Sequence, residues 1–226
     1  MRYHIITLFP ELFESFLTTS LLAKAREKGL IDFVFINPRD FCIDKQRQVD
    51  DEIYGWWAGL LIKAQPVIDA LKQVMQVVDP AHCAVIMPEP SEHLFCQRDA
   101  HEWTKKYTDI VFICWRYEGI DHRVEMRCWQ VFWEDFYKVS LGQFVTLGGE
   151  VPSMMIIEAT ARLLPWVIND AVSRQDESYR PELWWTNIEY PQYTRPEVVE
   201  WMRVPEVLLS GHHKKIDEWR QWWQKM

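Results

Sequence analysis

The stretch Asp109-Ile-Val-Phe-Ile-Cys114-Trp-Arg-Tyr-Glu-Gly-Ile-Asp-His-Arg123 decides the fold. Its first half, Asp109–Cys114, is an almost unbroken apolar run. That is the signature of a short strand buried on both faces, as in parallel sheets. Its second half turns abruptly polar, with Arg116, Glu118, Asp121 and Arg123 mixing both signs around Gly119. In parallel α/β sheets ligands bind beyond the carboxyl ends of the strands. A charged loop directly after a buried strand therefore has two readings. It is a solvated ion-pair network of little energetic weight, or a loop folded against a ligand, with Gly119 supplying an unusual backbone angle.

The same arrangement recurs on either side. Cys83–Met87 is a buried strand stopped by Pro88 and followed by Glu89-Pro90. Downstream, Leu141-Gly-Gln-Phe-Val-Thr-Leu-Gly-Gly-Glu150 contains a strand-like Phe144–Leu147. Its Gly148-Gly149 turns into an apolar helix running from about Val151 to Leu164. Three loops gathered at one sheet edge would form one pocket; three ordinary strand-ending turns is the competing reading. Further out, residues 2–8 and Ile31–Ile36 read as strands. Pro10 opens a helix with Leu12, Phe13, Phe16 and Leu17 on one face. Ser20 is expected to cap a second helix, with Leu21, Leu22 and Ala25 inward and Gly29 at its end. Gln65–Val78 and Leu94–Tyr107 have helical spacing. Asn37–Gly59 has no period and reads as a long loop. Strands alternating with helices predict a mainly parallel α/β domain over 1–165. Residues 166–195 have linker composition. Residues 196–226 offer two short helical patterns joined by Val204–Gly211, a small helical domain.

Composition narrows the function. Charged residues are 26% and hydrophobic residues 48% of the 226, an ordinary globular balance. No apolar run is long enough to span a membrane, and the N-terminus lacks the apolar core of a signal peptide. Five cysteines, an odd number without a C-x-x-C pair, fit neither a disulfide framework nor a zinc ribbon and point to a reducing, cytoplasmic compartment. No metal site is expected; the adjacent His212 and His213 would point apart on a helix. A net charge of −8 opposes nucleic-acid binding unless basic residues gather locally. Arg39, Lys45, Arg47, Arg123, Arg162, Arg174, Arg195, Arg203, Lys214 and Lys215 are the candidates. Phosphate-loop, dinucleotide-binding, G-x-S-x-G and H-E-x-x-H motifs are all missing. Two counts are abnormal: 8 glycines, about half the ~7% expected, and 13 tryptophans.

A run of motifs carries a resemblance. They are Leu8-Phe9-Pro10-Glu11, Pro38-Arg39-Asp40-Phe41, Val49-Asp50-Asp51 with Tyr54-Gly55, Arg116-Tyr117-Glu118-Gly119-Ile120-Asp121 and Gly148-Gly149-Glu150. Tyr190-Pro191-Gln192-Tyr193-Thr194-Arg195-Pro196 and Val204-Pro205-Glu206-Val207-Leu208-Leu209-Ser210-Gly211 follow in the same order. Over nearly its whole length the chain resembles the bacterial tRNA (guanine-37-N1)-methyltransferases of the SPOUT class. The resemblance implies a parallel-sheet domain with a C-terminal trefoil knot, a small tRNA-binding domain, a homodimer with shared active sites, and S-adenosylmethionine as methyl donor. It puts cofactor contacts on Pro88, Trp115, Tyr117, Glu118, Gly119, Leu141, Gly142, Phe144, Thr146, Gly148 and Gly149. It puts the catalytic arginine on Arg162 and the catalytic carboxylate on Glu177, or on Asp176 after a shift of one residue.

That chemistry suits these residue types. N1 of guanine carries a proton, which a carboxylate can remove as general base. An arginine can hold O6 as negative charge develops there. Some positions depart from the family pattern. Family loops that read Tyr-Gly-Gly-Gly-Pro-Gly and Cys-Gly-Arg-Tyr-Glu-Gly are here Tyr54-Gly55-Trp56-Trp57-Ala58-Gly59 and Cys114-Trp115-Arg116-Tyr117-Glu118-Gly119. Trp166 and Trp201 also replace expected glycines, Pro90 replaces another, and Gln143 replaces an aspartate. Tryptophan at glycine positions is the pattern expected if UGA, read as glycine by the source organism, were translated as tryptophan. The alternatives are a cofactor-deficient tRNA-binding or dimeric scaffold protein, and a SPOUT methyltransferase acting at another tRNA position.

Overall fold

A computed structural model describes residues 1–55, 57–168, 177–183 and 185–224. The chain divides into two compact units, Met1–Asn169 and Asp170–Met226.

The first unit is an α/β layer structure around a five-stranded sheet. Its strands are β1 (Arg2–Ile6), β2 (Asp32–Ile36), β5 (Cys83–Pro88), β6 (Asp109–Ile113) and β7 (Phe136–Val139), in the order β2-β1-β6-β5-β7 and all parallel. Between β2 and β5 a separate antiparallel hairpin forms from β3 (Asp50–Ile53) and β4 (Trp57–Ile62). Helices α3 (Ala64–Met75) and α5 (Arg123–Phe132) cover one face of the sheet. There Val67, Leu71, Val74, Val124 and Cys128 pack on Ile6, Val85, Val111 and Ile113. Helices α1 (Glu14–Leu17), α2 (Ser20–Glu27), α4 (Gln97–Lys106) and α6 (Glu150–Ala161) cover the other. Phe13, Trp103, Ile156 and Ile157 close on Tyr3, Ile5, Ile86 and Phe112. Both faces are thus buried, which is why the central strands are continuously apolar.

The second unit holds a 3-10 turn at Pro181–Leu183, a two-residue hairpin of β8 (Val198–Val199) and β9 (Met202–Arg203), α7 (Glu206–Leu209) and α8 (His213–Gln224).

Five local expectations are corrected. Asn37–Gly59 is not one loop; it contains a 3-10 turn at Pro38–Phe41, β3 and the start of β4. β3 reads Asp-Asp-Glu-Ile, so nothing apolar alternates, and main-chain pairing rather than pattern makes the strand. The strand expected at Phe144–Leu147 lies earlier, at β7, whose Lys138 hides it from apolar-run counting. Phe144, Val145 and Leu147 are instead exposed loop residues. Ser20 does not cap α2: it is the first helical residue, at φ +57°, and the hydroxyl of Thr19 before it donates to the Ser15 carbonyl. Leu21, expected inward, is exposed. Finally, Val204–Gly211 contains α7 rather than a plain connection.

Candidate active site

Parallel pairing puts the carboxyl ends of β6, β5 and β7 side by side, so the loops after them share one edge of the sheet. Five of the expected cofactor residues, Pro88, Trp115, Leu141, Phe144 and Thr146, line one cavity there, together with Glu89, Pro90, Val139, Ser140 and Pro152. The loops are tied to each other through the main chain. The N–H of Gly149 donates to the Trp115 carbonyl at 3.0 Å, and Ser140 exchanges bonds with the His93–Phe95 segment at 2.8 and 2.9 Å. Gly149 has to be glycine: a Cβ there would stand 2.9 Å from the Cα of Cys114.

The other expected residues sit around this cavity. Glu118 and Gly119 pair with the hairpin. The N–H of Glu118 donates to Leu60, and the Gly119 carbonyl accepts from Ile62 at 3.0 Å. Tyr117 turns the loop at φ +58° and is half-exposed. Gly142 lies against the Phe144 ring, and Gly148 against the side chains of Arg116 and Glu150. Arg162, at the C-terminal end of α6, lines a different cavity with Ser15, Phe16, Leu22 and Glu158. Glu177 belongs to the second unit, where its main-chain carbonyl accepts from the Asn187 amide at 2.8 Å. Asp176 and Arg174 lie outside the described residues, as does Trp56.

Two networks were not singled out from sequence. Glu150, 1% exposed at the start of α6, accepts from the Thr7 hydroxyl at 2.8 Å and stands 3.0 Å from Arg116 Nε. This is an ion pair by distance, although the N–H is not aligned for a hydrogen bond. Arg116 also lies over the Phe9 ring at 4.9 Å. Thr7, Arg116 and Glu150 thus join the end of β1 to the second and third loops. The signal was a carboxylate straight after Gly-Gly, where the helix N-terminus favours negative charge. In the second network, Lys138 Nζ bridges Glu89 at 2.8 Å and Glu125 at 2.9 Å, fastening the first loop to β7 and α5. Burial alone would lower the Lys138 pKa, but the two carboxylates outweigh it and raise it. Of the basic candidates for phosphate contact, Arg47, Arg123 and Arg203 are paired with Asp40, Asp121 and Glu197.

A larger polar cavity of about 580 Å³ lies on the hairpin side of the second loop. It is lined by Asp51, Tyr54, Lys63, Asp121 and Arg123 among others, and none of the expected cofactor residues reaches it.

A family model described as tRNA (Guanine-1)-methyltransferase TrmD matches residues 1–226. The chain belongs to this family. Among its relatives is the tRNA (guanine-N(1)-)-methyltransferase of Carboxydothermus hydrogenoformans, 43% identical over 221 residues that cover 98% of this chain and 81% of the relative. The protein of the same name from Clostridioides difficile is 40% identical over 221 residues, covering 98% and 91%. That from Streptococcus pyogenes is 41% identical over 220 residues, covering 97% and 84%.

Membership implies a methyl donor, and the loops test its fit. Their glycines stand against other parts of the same chain, Gly149 against Cys114 and Gly148 against Arg116 and Glu150. The cavity measures about 20 Å³, room for about one water and far below the ~300 Å³ at which small-molecule pockets begin. The indole of Trp115, 9% exposed, occupies the space and donates from Nε1 to the Pro88 carbonyl. The chain with tryptophan at 115 does not fit a nucleoside-sized donor at this edge.

Proposed function

We propose that this protein methylates N1 of the guanine at tRNA position 37, beside the anticodon, with S-adenosylmethionine as donor. One observation carries the reading: the family match runs through every residue, 1 to 226. The convergence of Pro88, Trp115, Leu141, Phe144 and Thr146 from three loops supports the sheet edge as the donor's place. That edge requires a small residue at 115.

Glu177 is the general base for the N1 proton, with Asp176 the alternative one residue earlier, and Arg162 stabilises charge building on O6. The first unit carries the donor side, residues 166–195 link, and 196–226 bind tRNA. A trefoil knot in the first unit is consistent with the path of Ser140–Gly149. This segment leaves the edge strand β7, bonds to His93–Phe95 and returns to Trp115 at the end of β6. The working form is a homodimer with shared sites. The exposed apolar residues Phe144, Val145, Leu147, Val151 and Met155 on the third loop and α6 are the surface it would cover. No described helix is long and apolar enough to cross a membrane, and the five free cysteines suit the reducing cytoplasm.

One observation favours a second reading, a cofactor-deficient tRNA-binding or dimeric scaffold: the cavity as it stands is filled by Trp115. The test is methyl transfer to an unmodified tRNA transcript with guanine at 36 and 37, read by primer extension, which halts at an N1-methylated guanine. Methylation at 37 by the chain carrying Trp115→Gly, lost in a transcript with adenine at 37, supports the first reading. A halt elsewhere assigns another tRNA position. Binding without transfer leaves the scaffold.

A further inference from the structure

The tryptophans fall into two groups by backbone and surroundings. Trp103, Trp129 and Trp219 sit within helices and pack against rings. Trp103 is 2% exposed with Phe95 and Tyr137 at 5.5 and 5.1 Å, Trp129 meets Phe136 at 4.9 Å, and Trp219 meets Tyr190 at 6.2 Å. Trp133, Trp166 and Trp185 have φ of +44°, +69° and +63°. This is the left-handed region where Cβ crowds the backbone and glycine is the default residue. They are three of the eight described non-glycine residues with positive φ, although tryptophan supplies only 13 of 226 residues.

Their places in the fold agree with their angles. Trp133 follows the last residue of α5 at φ +44° and ψ −110°, near the glycine-favouring first central position of a type II′ turn, and its indole is 70% exposed. Trp166, in the turns after α6, is 71% exposed. Trp201, 84% exposed, takes the second position of the two-residue β8–β9 turn, but the positive φ of that turn, +57°, belongs to Glu200, so backbone angle does not place Trp201 in this group. Trp115 is different. It is not among the positive-φ residues, so its misfit is one of volume: it fills the cavity at the sheet edge.

We infer that the protein made by its own cells carries glycine at 115, 133, 166 and 185, encoded by UGA, and tryptophan at 103, 129 and 219, encoded by UGG. The two codons differ in one base, and a table that reads both as tryptophan would merge the two groups. Glycine at these four positions would raise its count from 8 to 12 and lower tryptophan from 13 to 9, so the same merger narrows both abnormal counts. Trp133 and Trp185 are assigned by backbone angle alone, independently of any resemblance. Only the assignment at 115 rests on the proposed function, because it takes the sheet edge as the donor site.

The coding DNA and the protein isolated from source cells decide the matter together. The expected result is UGA at 115, 133, 166 and 185, UGG at 103, 129 and 219, and peptides across the first four positions that carry glycine by mass. UGG at those four codons, UGA spread evenly over both groups, or tryptophan in the cellular peptides overturns the inference. Calorimetry with S-adenosylmethionine adds a reading for position 115. Binding that appears, or tightens at least tenfold, on Trp115→Gly is expected. Equal, tight binding to both chains overturns the assignment there. Glycine at all four positions in a protein that fails to methylate tRNA leaves this inference standing and removes the proposed function instead.

Discussion

Glu150 shows how much one buried side chain can hold together. Its carboxylate joins Thr7 at the end of β1 to Arg116 in the second loop from the first turn of α6. Removing one partner of a buried ion pair leaves the other charge uncompensated and costs about 3–5 kcal/mol. Glu150→Ala is expected to lower unfolding free energy by about 3 kcal/mol in denaturant titration, and Thr7→Val by about 1 kcal/mol, the loss of one hydrogen bond. Wild-type stability in Glu150→Ala would show that the network carries no load. The cysteines offer a second test. Burial pushes the Cys83 and Cys128 thiols up to about 12 and Cys114 higher still, so none of them forms the reactive thiolate. At mildly alkaline pH a thiol reagent is expected to label exposed Cys96 first and to spare these three; rapid labelling of Cys114 contradicts the packing. At this scale the sequence is read best where chemistry is unusual for the place, as with tryptophan after a buried strand. It is read worst where a role comes from a distant partner, as with Thr7 and Glu150, 143 residues apart.

Among the elements, β5 and β6 were legible because strands buried on both faces are apolar throughout, and β1 and β2 because apolar residues dominate them, although β2 is an edge strand in which only Ile36 is buried. β7 was not, because its Lys138 is made tolerable by Glu89 and Glu125, which no local pattern reveals. The β3–β4 hairpin was not, because its acidic strand is held by the main-chain ladder. The Lys138 bridge predicts a pH signature. Burial would raise the Glu125 pKa, but the bond to Lys138 outweighs it and holds the carboxyl below its usual range. That contribution is present above the unfolded value of ~4.3 and is lost as pH falls through the lower folded value. The raised Lys138 contributes fully below its unfolded value of ~10.4 and is lost as pH rises through the folded one. Lys138→Met should therefore cost stability, about 2 kcal/mol for two charge-assisted bonds, by an amount constant between about pH 5 and 9 that shrinks at both extremes. A cost that does not vary with pH would assign the effect to packing.

For the molecule as a whole, the parallel sheet fixes which loops meet, and that much of the site follows from strand order alone. What periodicity cannot supply is the path of Ser140–Gly149 from β7 back to Trp115, or the roles proposed for Arg162 and Glu177, which come from no local pattern. The exposed apolar run from Phe144 to Met155 predicts association: sedimentation at micromolar concentration should give a dimer, and a monomer removes the shared site. In a chain with glycine restored at 115, Arg162→Ala and Glu177→Gln should each lower methyl transfer about 100-fold or more with the fold intact. If Glu177→Gln is harmless and Asp176→Asn is inactive, the base lies one residue earlier.

The most direct measurement is single-turnover methyl transfer from S-adenosylmethionine to a tRNA transcript with guanine at 36 and 37. The protein would carry glycine at 56, 57, 115, 133, 166, 185 and 201, beside the chain with tryptophan at all seven. N1-methylguanine at position 37 is expected with the glycine chain, and little or none with the tryptophan chain. Failure of the glycine chain to methylate, with its fold and tRNA binding intact, would contradict it.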